Sequence, residues 1–378
     1  MEASRGLRVL HLIPSLASGG AERQLILLSR AQAQRGHEVH VVVPRRSDNT
    51  GELDPAVLRH ELLAAGNHDP RLILQVAALA RVLRPHVIQS WLLQMDVVGG
   101  IVTRALAIPW VLTERSCAAA YTGSVKARIR SIIARGSAVI VSNSRGGDAY
   151  WRDLCDGTQL RQVIPNGLDL AALRQLPAAA DLLPDAPLIL FGGRLAAEKN
   201  VDTLLHALAR VLRRSPGVAL LCGNGPDRQR LEQQARALDA GDRLVFTGHR
   251  PDLVSLMKRA AVFVAVSRFE GHPNAVIEAM AVGCPLVLSR IPAHTEILDD
   301  DAATFVDPTD AADIARGIEA VLLDPQAARR RVEIALARAQ AFSINRTASA
   351  YDELYHSLLA HRRSRRTGSI SPKWSTVR

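Results

Sequence analysis

The chain has 378 residues, of which 48% are hydrophobic; this is enough for two domains with substantial cores and excludes a disordered protein. Lys and Arg outnumber Asp and Glu by 47 to 37, a net charge of +10, so the surface can attract anionic lipid, phosphorylated small molecules or nucleic acid. Nucleic-acid binding finds no support in a recognition motif or in interleaved aromatic residues.

Strand-like and helix-like patterns alternate along the chain, which predicts an α/β fold with parallel sheets rather than an all-β fold. In the first half they predict one doubly wound domain, residues 1–175. Its strands are predicted near Leu7–Ile13, Val39–Val43, Val87–Trp91, Trp110–Thr113, Ala138–Val141 and Arg161–Ile164.

A Pro-bearing connector, Asp181–Pro187, precedes a second series of strands and predicts a second domain, residues 176–345. The strands of this domain are predicted near Leu188–Phe191, Val218–Cys222, Leu244–Phe246, Val262–Val266, Pro285–Leu288 and Thr304–Phe305. Two similar sheets joined by a short linker are expected to leave a cleft between them.

The segment after Val262–Val266 is the most informative stretch of the sequence. A Gly-His-Pro turn follows the apolar run, and a helical pattern begins near Pro273, which predicts strand, turn and helix. At the carboxyl edge of an α/β sheet, such a helix start directs unpaired N–H groups at an anion. Glu270 and Glu278 bracket the turn and are suited to accept hydrogen bonds from hydroxyl groups beside a phosphate. A sugar linked through phosphates to a ribose has this layout.

Five motifs occur in an order that resembles the retaining glycosyltransferases of family four. They are Ser18-Gly19-Gly20-Ala21-Glu22, Asn166-Gly167-Leu168-Asp169, Gly193-Arg194-Leu195-Ala196-Ala197-Glu198-Lys199-Asn200, Gly223-Asn224-Gly225-Pro226, and the pair Glu270 and Glu278 with seven residues between them. The resemblance covers nearly the whole chain. It implies the GT-B architecture, an α/β fold of two Rossmann-like, doubly wound domains facing across a cleft. In such folds the last helix, here 346–361, crosses back to the first domain.

The resemblance also implies the donor site. Arg194 and Lys199 would bind the diphosphate, where fixed cations stabilise the negative charge that develops on the leaving group. Glu278 would hold the ribose, and Glu270 would contact hydroxyl groups of the donor sugar. The catalytic residues implied are Arg194, Lys199 and Glu270; the donor-binding residues implied are Gly19, Gly20, Gly193, Arg194, Lys199, Gly223, His272, Asn274, Ala275 and Glu278. For Gly223 a structural turn role comes first and nucleotide contact second.

The chain departs from the family at the strand Trp110–Thr113. Many relatives end this strand with a histidine facing the sugar, whereas Glu114 and Arg115 follow here and either could substitute as a polar contact. His11 is expected to be a satisfied strand residue rather than a catalyst. The acceptor is expected on the first domain; its candidate residues are Trp91, Gln94, Arg115 and Lys126, with Tyr121 beside them.

No metal or other cofactor is expected. The run Asp299–Asp301 could hold a divalent ion as a DxD pair, but a solvated turn at the end of a short helix explains it adequately. No His/Cys cluster has zinc spacing. The donor is expected to be a nucleotide-diphosphate sugar, with a UDP-sugar favoured and a GDP-sugar as the alternative.

Several features favour a cytoplasmic protein. Arg5 and Arg8 flank the first strand and leave no apolar core for a signal peptide, and no apolar run approaches the roughly 18 residues of a spanning helix. The four cysteines show neither CxxC pairing nor a disulfide framework.

Two basic stretches could bring the protein to the inner face of a membrane. The first is the helix around Lys126–Arg130, whose apolar side chains could meet either a core or an anionic bilayer; an ordinary amphipathic helix with a solvated basic face is the alternative. The second is the tail 362–378, which is expected to be disordered.

The sequence therefore predicts a retaining, metal-independent glycosyltransferase that acts on a glycan or lipid-linked acceptor, such as a surface-polysaccharide intermediate. A nucleotide-sugar epimerase of similar architecture would be expected to carry additional acid/base groups, which the motifs do not supply. A non-catalytic nucleotide-sugar-binding scaffold subunit is the other alternative, because the family histidine is missing.

Overall fold

The structure is a computed structural model that describes residues 6–17, 19–45, 51–64, 66, 69–155, 159–179, 186–238 and 241–367. Ser18 and most of the connector Asp181–Pro187 lie outside these ranges. The chain forms two compact units, Met1–Gly167 with Ile344–Arg378, and Leu168–Ser343. The division falls earlier than the expected boundary at residue 175, because Leu168 and Leu173 pack in the core of the second unit.

Thirteen strands and fourteen α-helices occur in the described residues. The strands are β1 (Arg8–Leu12), β2 (Glu38–Pro44), β3 (Leu58–Leu62), β4 (Val87–Trp91), β5 (Trp110–Glu114), β6 (Val139–Ser142), β7 (Arg161–Val163), β8 (Leu188–Gly192), β9 (Val218–Cys222), β10 (Leu244–Gly248), β11 (Val262–Ala265), β12 (Leu286–Ser289) and β13 (Thr304–Val306). The helices are α1 (Gly20–Gln34), α2 (Arg71–Leu83), α3 (Leu92–Leu106), α4 (Val125–Ala134), α5 (Arg145–Leu154), α6 (Leu170–Gln175), α7 (Val201–Arg214), α8 (Arg228–Ala237), α9 (Leu253–Arg259), α10 (Asn274–Ala281), α11 (Pro292–Thr295), α12 (Ala311–Leu323), α13 (Pro325–Ala339) and α14 (Ile344–Thr367).

The sheet of the first unit has seven parallel strands in the order β3-β2-β1-β4-β5-β6-β7. Strand β3 was not predicted, because Arg59, His60 and Glu61 interrupt its apolar pattern. It lies at the edge of the sheet, where charged side chains can face solvent and discourage pairing with another chain.

Alternate residues of the central strands point to opposite faces of this sheet, and helices cover both faces. Helices α1 and α14 cover one face, where Leu25 and Tyr355 pack with Val9. Helices α2 and α3 cover the other, where Val76 and Val98 pack with Leu10. This is the expected doubly wound arrangement.

Helix α14 belongs to the first unit. Tyr351, Leu354 and Tyr355 are buried in that unit's core, and the Tyr355 hydroxyl accepts a hydrogen bond from Gln32 Nε2 at 3.1 Å. The helix is longer than the predicted 346–361 and ends at Thr367. The expected disorder from residue 362 is therefore wrong for 362–367, whose backbone continues the helix; residues 368–378 lie outside the described ranges.

The sheet of the second unit has six parallel strands in the order β10-β9-β8-β11-β12-β13. Helices α7 and α12 pack on one face through Leu204 and Ile314, and α9 and α10 pack on the other through Met257 and Ile277. Two Rossmann-like units with parallel sheets confirm the predicted α/β class. Among the described residues, none of the helices has the length and apolarity required to cross a membrane.

Candidate donor and acceptor sites

The second sheet reverses its chain order between β8 and β11, its two central strands. In open α/β sheets, ligands bind outside the carboxyl ends of the strands at such a point. Lys199 follows β8 at the end of a 3₁₀ turn, and Glu270 follows β11. Their side chains form an ion pair between Lys199 Nζ and Glu270 Oε1. The structure thus brings together two of the three residues predicted to be catalytic.

Glu270 is held as a carboxylate. Burial alone would raise its pKa, but the charge and hydrogen bond of Lys199 and the hydroxyl of Ser267 lower the pKa below its usual value. Ser267 Oγ donates to Glu270 Oε1 at 2.7 Å. An ionised carboxylate at the sheet edge can accept hydrogen bonds from hydroxyl groups of a ligand.

Hydrogen bonds fasten the loop after β8 to the loop after β11. Asn200 adopts a left-handed backbone with φ of 57°, and its Nδ2 donates to the carbonyl oxygens of Val266 at 3.1 Å and Pro308 at 2.7 Å. The backbone N–H of Arg268 donates to the carbonyl of Glu198 at 2.8 Å. These bonds fix Lys199 against Glu270 before any ligand binds, which is what electrostatic stabilisation of a leaving group requires.

A residue that sequence reasoning missed, His294, lies behind this loop. Its Nδ1 is 2.9 Å from the carbonyl oxygen of Ser289, and Ser289 Oγ donates to the carbonyl of Ser267 at 2.7 Å. Burial lowers the pKa of His294, and the charge of Glu270 only partly opposes this. His294 is therefore a neutral side chain next to the Glu270 loop. Its position just after β12, the neighbour of β11, was the available sequence signal.

Arg194, the third residue predicted to be catalytic, does not join the Lys199–Glu270 pair. It lies in the loop directly after β8, and its Nε donates to Glu198 Oε1 at 3.1 Å. Its side chain is 67% exposed, so the guanidinium can reorient toward a bound anion at little cost.

The glycines of the second unit allow a close approach of two backbone segments. Gly223 has φ of 148°, and a Cβ there would lie 1.8 Å from the carbonyl oxygen of Gly193. The N–H of Gly193 donates to the carbonyl of Cys222 at 2.9 Å. Gly223 therefore has the structural role in a turn that its sequence context favoured over nucleotide contact. A side chain there would displace the loop that carries Arg194.

Helix α10 begins at Asn274, with Pro273 as its N-cap residue. Asn274 and Ala275 are half-buried in its first turn, and Glu278 is buried one turn further along. His272 is buried, and its ring lies edge-on to that of Phe342 with centroids 5.3 Å apart. The positive end of the helix dipole thus directly follows the Glu270 loop, and it favours an anion there.

In the first unit, Gly19 and Gly20 lie where β1 gives way to α1. Gly19 is the N-cap residue with an extended backbone, and Gly20 is the first residue of the helix. His11 of β1 is buried, and burial lowers its pKa to about 4. Its ring is 2.8 Å from Gln32 Oε1 and accepts from the indole N–H of Trp91 at 3.1 Å. His11 is a satisfied strand residue, as predicted.

Two of the acceptor candidates, Trp91 and Arg115, interact with core residues of the first unit. Trp91 is buried, and the Arg115 guanidinium lies 4.0 Å from the centroid of its ring. Arg115 also donates to the Tyr351 hydroxyl at 2.9 Å and to Asn166 Oδ1 at 3.1 Å. Gln94 is half-buried on α3, and Lys126 is exposed on α4.

Glu114 cannot replace the missing family histidine, because its side chain is fully buried and both of its oxygens already accept hydrogen bonds. Oε1 accepts from the Tyr121 hydroxyl at 2.7 Å and from the Arg115 N–H at 2.8 Å, and Oε2 accepts from Arg130 at 2.6 Å and Trp151 at 3.0 Å. The suggestion that Glu114 contacts the sugar is therefore wrong.

Asp299 and Asp300 form ion pairs with arginines. Asp299 Oδ2 lies 2.7 Å from Arg338, and Asp300 Oδ1 lies 2.6 Å from Arg290. In the part of the chain that the structure describes, no group of three or more His, Cys, Asp or Glu side chains could hold a metal ion.

Comparison with known proteins gives matches across both units. The family described as Glycosyltransferase Family 4 matches residues 18–172, and the one described as Glycosyl transferases group 1 matches residues 175–338. Glycogen synthase of Mycobacterium tuberculosis is 27% identical over 361 residues, covering 88% of this chain and 86% of that protein. The lipopolysaccharide core biosynthesis mannosyltransferase LpcC of Rhizobium leguminosarum is 30% identical over 246 residues, covering 62% of this chain and 68% of that protein.

Among solved structures, the HepE protein of Anabaena in complex with UDP and glucose superposes with a TM-score of 0.81 at 20% identity. The superposition covers 93% of this chain and 100% of that one. This likeness agrees with the predicted GT-B fold class. On the family matches and the LpcC relationship, the chain belongs to glycosyltransferase family four.

Proposed function

We propose that the protein is a retaining, metal-independent glycosyltransferase that moves a sugar from a nucleotide-diphosphate donor to a glycan or lipid-linked acceptor. The observation that carries the proposal is the Lys199–Glu270 ion pair at the strand-order reversal, directly before the positive end of α10. This arrangement supplies a fixed cation and a helix dipole for the diphosphate and a carboxylate for sugar hydroxyl groups.

In the proposed reaction, the bond between the anomeric carbon and the diphosphate breaks first, and its electron pair stays on the phosphate oxygen. Lys199, Arg194 and the N-terminus of α10 stabilise the charge that grows there. The acceptor oxygen then attacks from the face that the phosphate leaves, and the departing phosphate takes the acceptor proton. No nucleophilic side chain is required, and the anomeric configuration is retained.

A UDP-sugar is the favoured donor, supported by the UDP complex of the HepE protein. A GDP-sugar is the alternative. The acceptor is proposed to be a surface-polysaccharide or lipid-linked intermediate, supported by the name of the LpcC mannosyltransferase and by the net charge of +10. The proposed place of action is the cytoplasmic face of an anionic membrane. A thermal-shift screen of nucleotide sugars tests the donor, because a ligand that binds only the folded protein raises its midpoint.

Product configuration tests the mechanism. With the donor found in the screen, proton NMR of the transferred sugar is expected to show the same anomeric configuration in donor and product. An inverted product would exclude front-face attack. Release of a free epimerised sugar or nucleotide without an acceptor would favour an epimerase instead.

The two glutamates are expected to act on different parts of the donor. Glu278→Gln should weaken binding of the free nucleoside diphosphate by about 1.5 to 3 kcal/mol, because it loses a charge-assisted hydrogen bond to the ribose. Glu270→Gln should leave that affinity nearly unchanged and lower turnover of the intact nucleotide sugar. Calorimetry with the diphosphate and steady-state transfer kinetics measure the two effects.

Glu333→Gln, on the exposed face of α13, is the matched control and should change neither quantity. If Glu270→Gln weakens diphosphate binding as much as Glu278→Gln does, the proposed division between ribose and sugar is wrong. The pair then supports the loop structurally.

Transfer activity is expected to survive chelation. Lys199 and the N-terminus of α10 supply positive charge where a metal-dependent enzyme would place a divalent ion. Activity measured after treatment with EDTA should equal that of the untreated enzyme. If EDTA abolishes activity and manganese restores it, the enzyme is metal-dependent, and Asp299–Asp301 becomes the candidate metal site.

A further inference from the structure

Helix α4 of the first unit exposes three apolar side chains on the face that points away from the core of that unit. Val125, Ile129 and Ile132 are 67%, 48% and 68% exposed. Their spacing of four and three residues places them on one face of the helix. Contiguous exposed apolar side chains of this kind mark a surface that meets something other than water.

The inward face of the same helix carries a charge. Ala127, Arg130 and Ala134 are buried, and the Arg130 guanidinium is paired with Asp96 and Glu114 at 2.6 Å each. A helix that served only to close the core would bury its isoleucines and expose its arginine. In α4, Arg130 is buried, Ile129 and Ile132 are exposed, and Ile133 alone of the three isoleucines packs against the core, where it is partly buried. The buried ion pairs hold this orientation in place. The outward apolar stripe is therefore a fixed feature of the fold.

The surroundings of the stripe are basic. Lys126 and Arg128 are exposed on the same helix and Arg135 is exposed at its C-cap, and no acidic residue occurs from Arg115 to Gly147. A groove of about 380 Å³ borders the helix. Its lining includes Tyr121 and Tyr150, whose rings stack with centroids 5.1 Å apart. Tyrosine rings, cations and an apolar stripe together match the headgroup region of a bilayer.

We propose that α4 docks the protein on an anionic lipid bilayer, with Val125, Ile129 and Ile132 entering the acyl boundary and Lys126 and Arg128 at the headgroups. The helix has 10 residues, and at a rise of 1.5 Å per residue it spans about 15 Å and lies in the plane of the interface. This inference rests on the proposed function only for its purpose, which is to bring the enzyme to a membrane-bound acceptor.

A second copy of the chain fits this surface poorly. A stable interface buries about 800 Å² on each partner, which is more than one stripe of three side chains supplies. Two copies meeting at α4 would also bring their cations together. An anionic lipid surface has the opposite charge, and its attraction to Lys and Arg adds to apolar burial.

Co-sedimentation of the purified full chain with large vesicles tests the proposal. The protein is expected to bind vesicles of phosphatidylglycerol and phosphatidylcholine and to bind pure phosphatidylcholine weakly. Ile129→Ser with Ile132→Ser should lower the partition coefficient at least about tenfold. Lys126→Gln with Arg128→Gln should lower the partition coefficient on anionic vesicles by about fivefold for each residue replaced and should not change it on neutral vesicles. High salt should weaken binding of the unmodified protein to anionic vesicles in the same way.

The matched control is Leu74→Ser with Val82→Ser on α2. These side chains are more exposed than the α4 pair and belong to the same unit, so they test whether any exposed apolar pair suffices. They should leave binding unchanged. Thermal unfolding midpoints show whether each variant folds. The variant Lys126→Gln with Arg128→Gln tests the contribution of the helix without changing its exposed apolar side chains.

Three results would overturn the docking proposal. The first is failure of the unmodified chain to sediment with anionic vesicles, and the second is equal binding by the α4 and α2 variants. The third is a lower molecular mass in solution for the α4 variant than for the unmodified protein, while vesicle binding persists. The last result would assign the stripe to a second copy. Because vesicle binding needs no donor, it can fail while nucleotide binding succeeds, which separates this inference from the proposed function.

Discussion

Replacing Lys199 with alanine is expected to lower turnover by about 10²- to 10³-fold, the usual effect of removing one electrostatic donor from an active site. The lysine is held against Glu270, so its removal leaves that partly buried carboxylate without its counter-ion. In the proposed reaction, its loss would remove a cation from the leaving diphosphate, and it should raise the pKa of Glu270. Donor binding should fall less than turnover, because the charge on the phosphate is greatest in the transition state.

Steady-state transfer kinetics and calorimetry with the free diphosphate measure the two quantities. Arg194→Ala is expected to act in the same direction with a smaller effect, because its side chain is largely exposed. Arg236→Ala removes a cation from the exposed face of α8 and is the control for net charge. If Lys199→Ala combined with Arg194→Ala retains full turnover, neither residue stabilises the leaving group.

Lys199 and Glu270 also provide a coupling test. Because they contact each other, Lys199→Ala and Glu270→Gln should be non-additive, so that the double variant loses less than the product of the two single losses. Strict additivity in the logarithm of turnover would mean that the ion pair plays no part in catalysis.

The central strands and the Lys199–Glu270 site could be predicted because their signals are local. Continuous apolar runs such as Val262–Val266 can only be buried strands or helices, and their length selects strands. In a parallel sheet, the residues after two neighbouring strands share one edge. Strand β3 has no such run, because its position at the edge of the sheet lets Arg59 and Glu61 remain partly in solvent.

The role of Glu114 could not be predicted, because it depends on which face of β5 the side chain takes. Leu112 and Glu114 are two residues apart and therefore point the same way, toward Trp151 and Arg130. The sequence places Glu114 at the end of a strand, where ligand contacts are common. That Arg130 turns inward from α4 depends on long-range packing, which no local pattern contains.

Arg130→Ala is expected to lower the free energy of unfolding of the first unit by about 3 to 5 kcal/mol at pH 7, since it leaves two buried carboxylates without their cation. Arg130 Nε lies 2.6 Å from Asp96 Oδ2, and Arg130 Nη1 lies 2.6 Å from Glu114 Oε2. Burial alone would lower the pKa of Arg130, but these two carboxylates raise it above its ordinary value. Arg128→Ala, on the exposed side of α4, should change stability by about 0.5 kcal/mol or less.

Urea denaturation followed by tryptophan fluorescence reports this unit selectively. Trp91, Trp110 and Trp151 are buried in it, and residues 168–343 contain no tryptophan. If the midpoint of this transition is the same for Arg130→Ala and Arg128→Ala, the buried network contributes nothing to stability.

The pH dependence identifies the carboxylates as the cause of the deficit. In the unmodified protein, burial raises the pKa of Asp96 to about 6 even though Arg130 opposes it. The pKa of Asp96 in the folded state is therefore higher than its value near 3.8 in the unfolded state. The contribution of protonated Asp96 to stability is fully present below pH 3.8 and is lost as the pH rises through about 6. Burial also acts to raise the pKa of Glu114, but the charge of Arg130 and the hydrogen bonds to its carboxylate hold it below its usual value. Without Arg130, the pKa of Asp96 should rise further and that of Glu114 should rise as well, so acid neutralises the two uncompensated charges. The loss of stability caused by Arg130→Ala should therefore be smaller at pH 5 than at pH 7. An equal loss at the two pH values would instead assign it to the cavity that the missing side chain leaves.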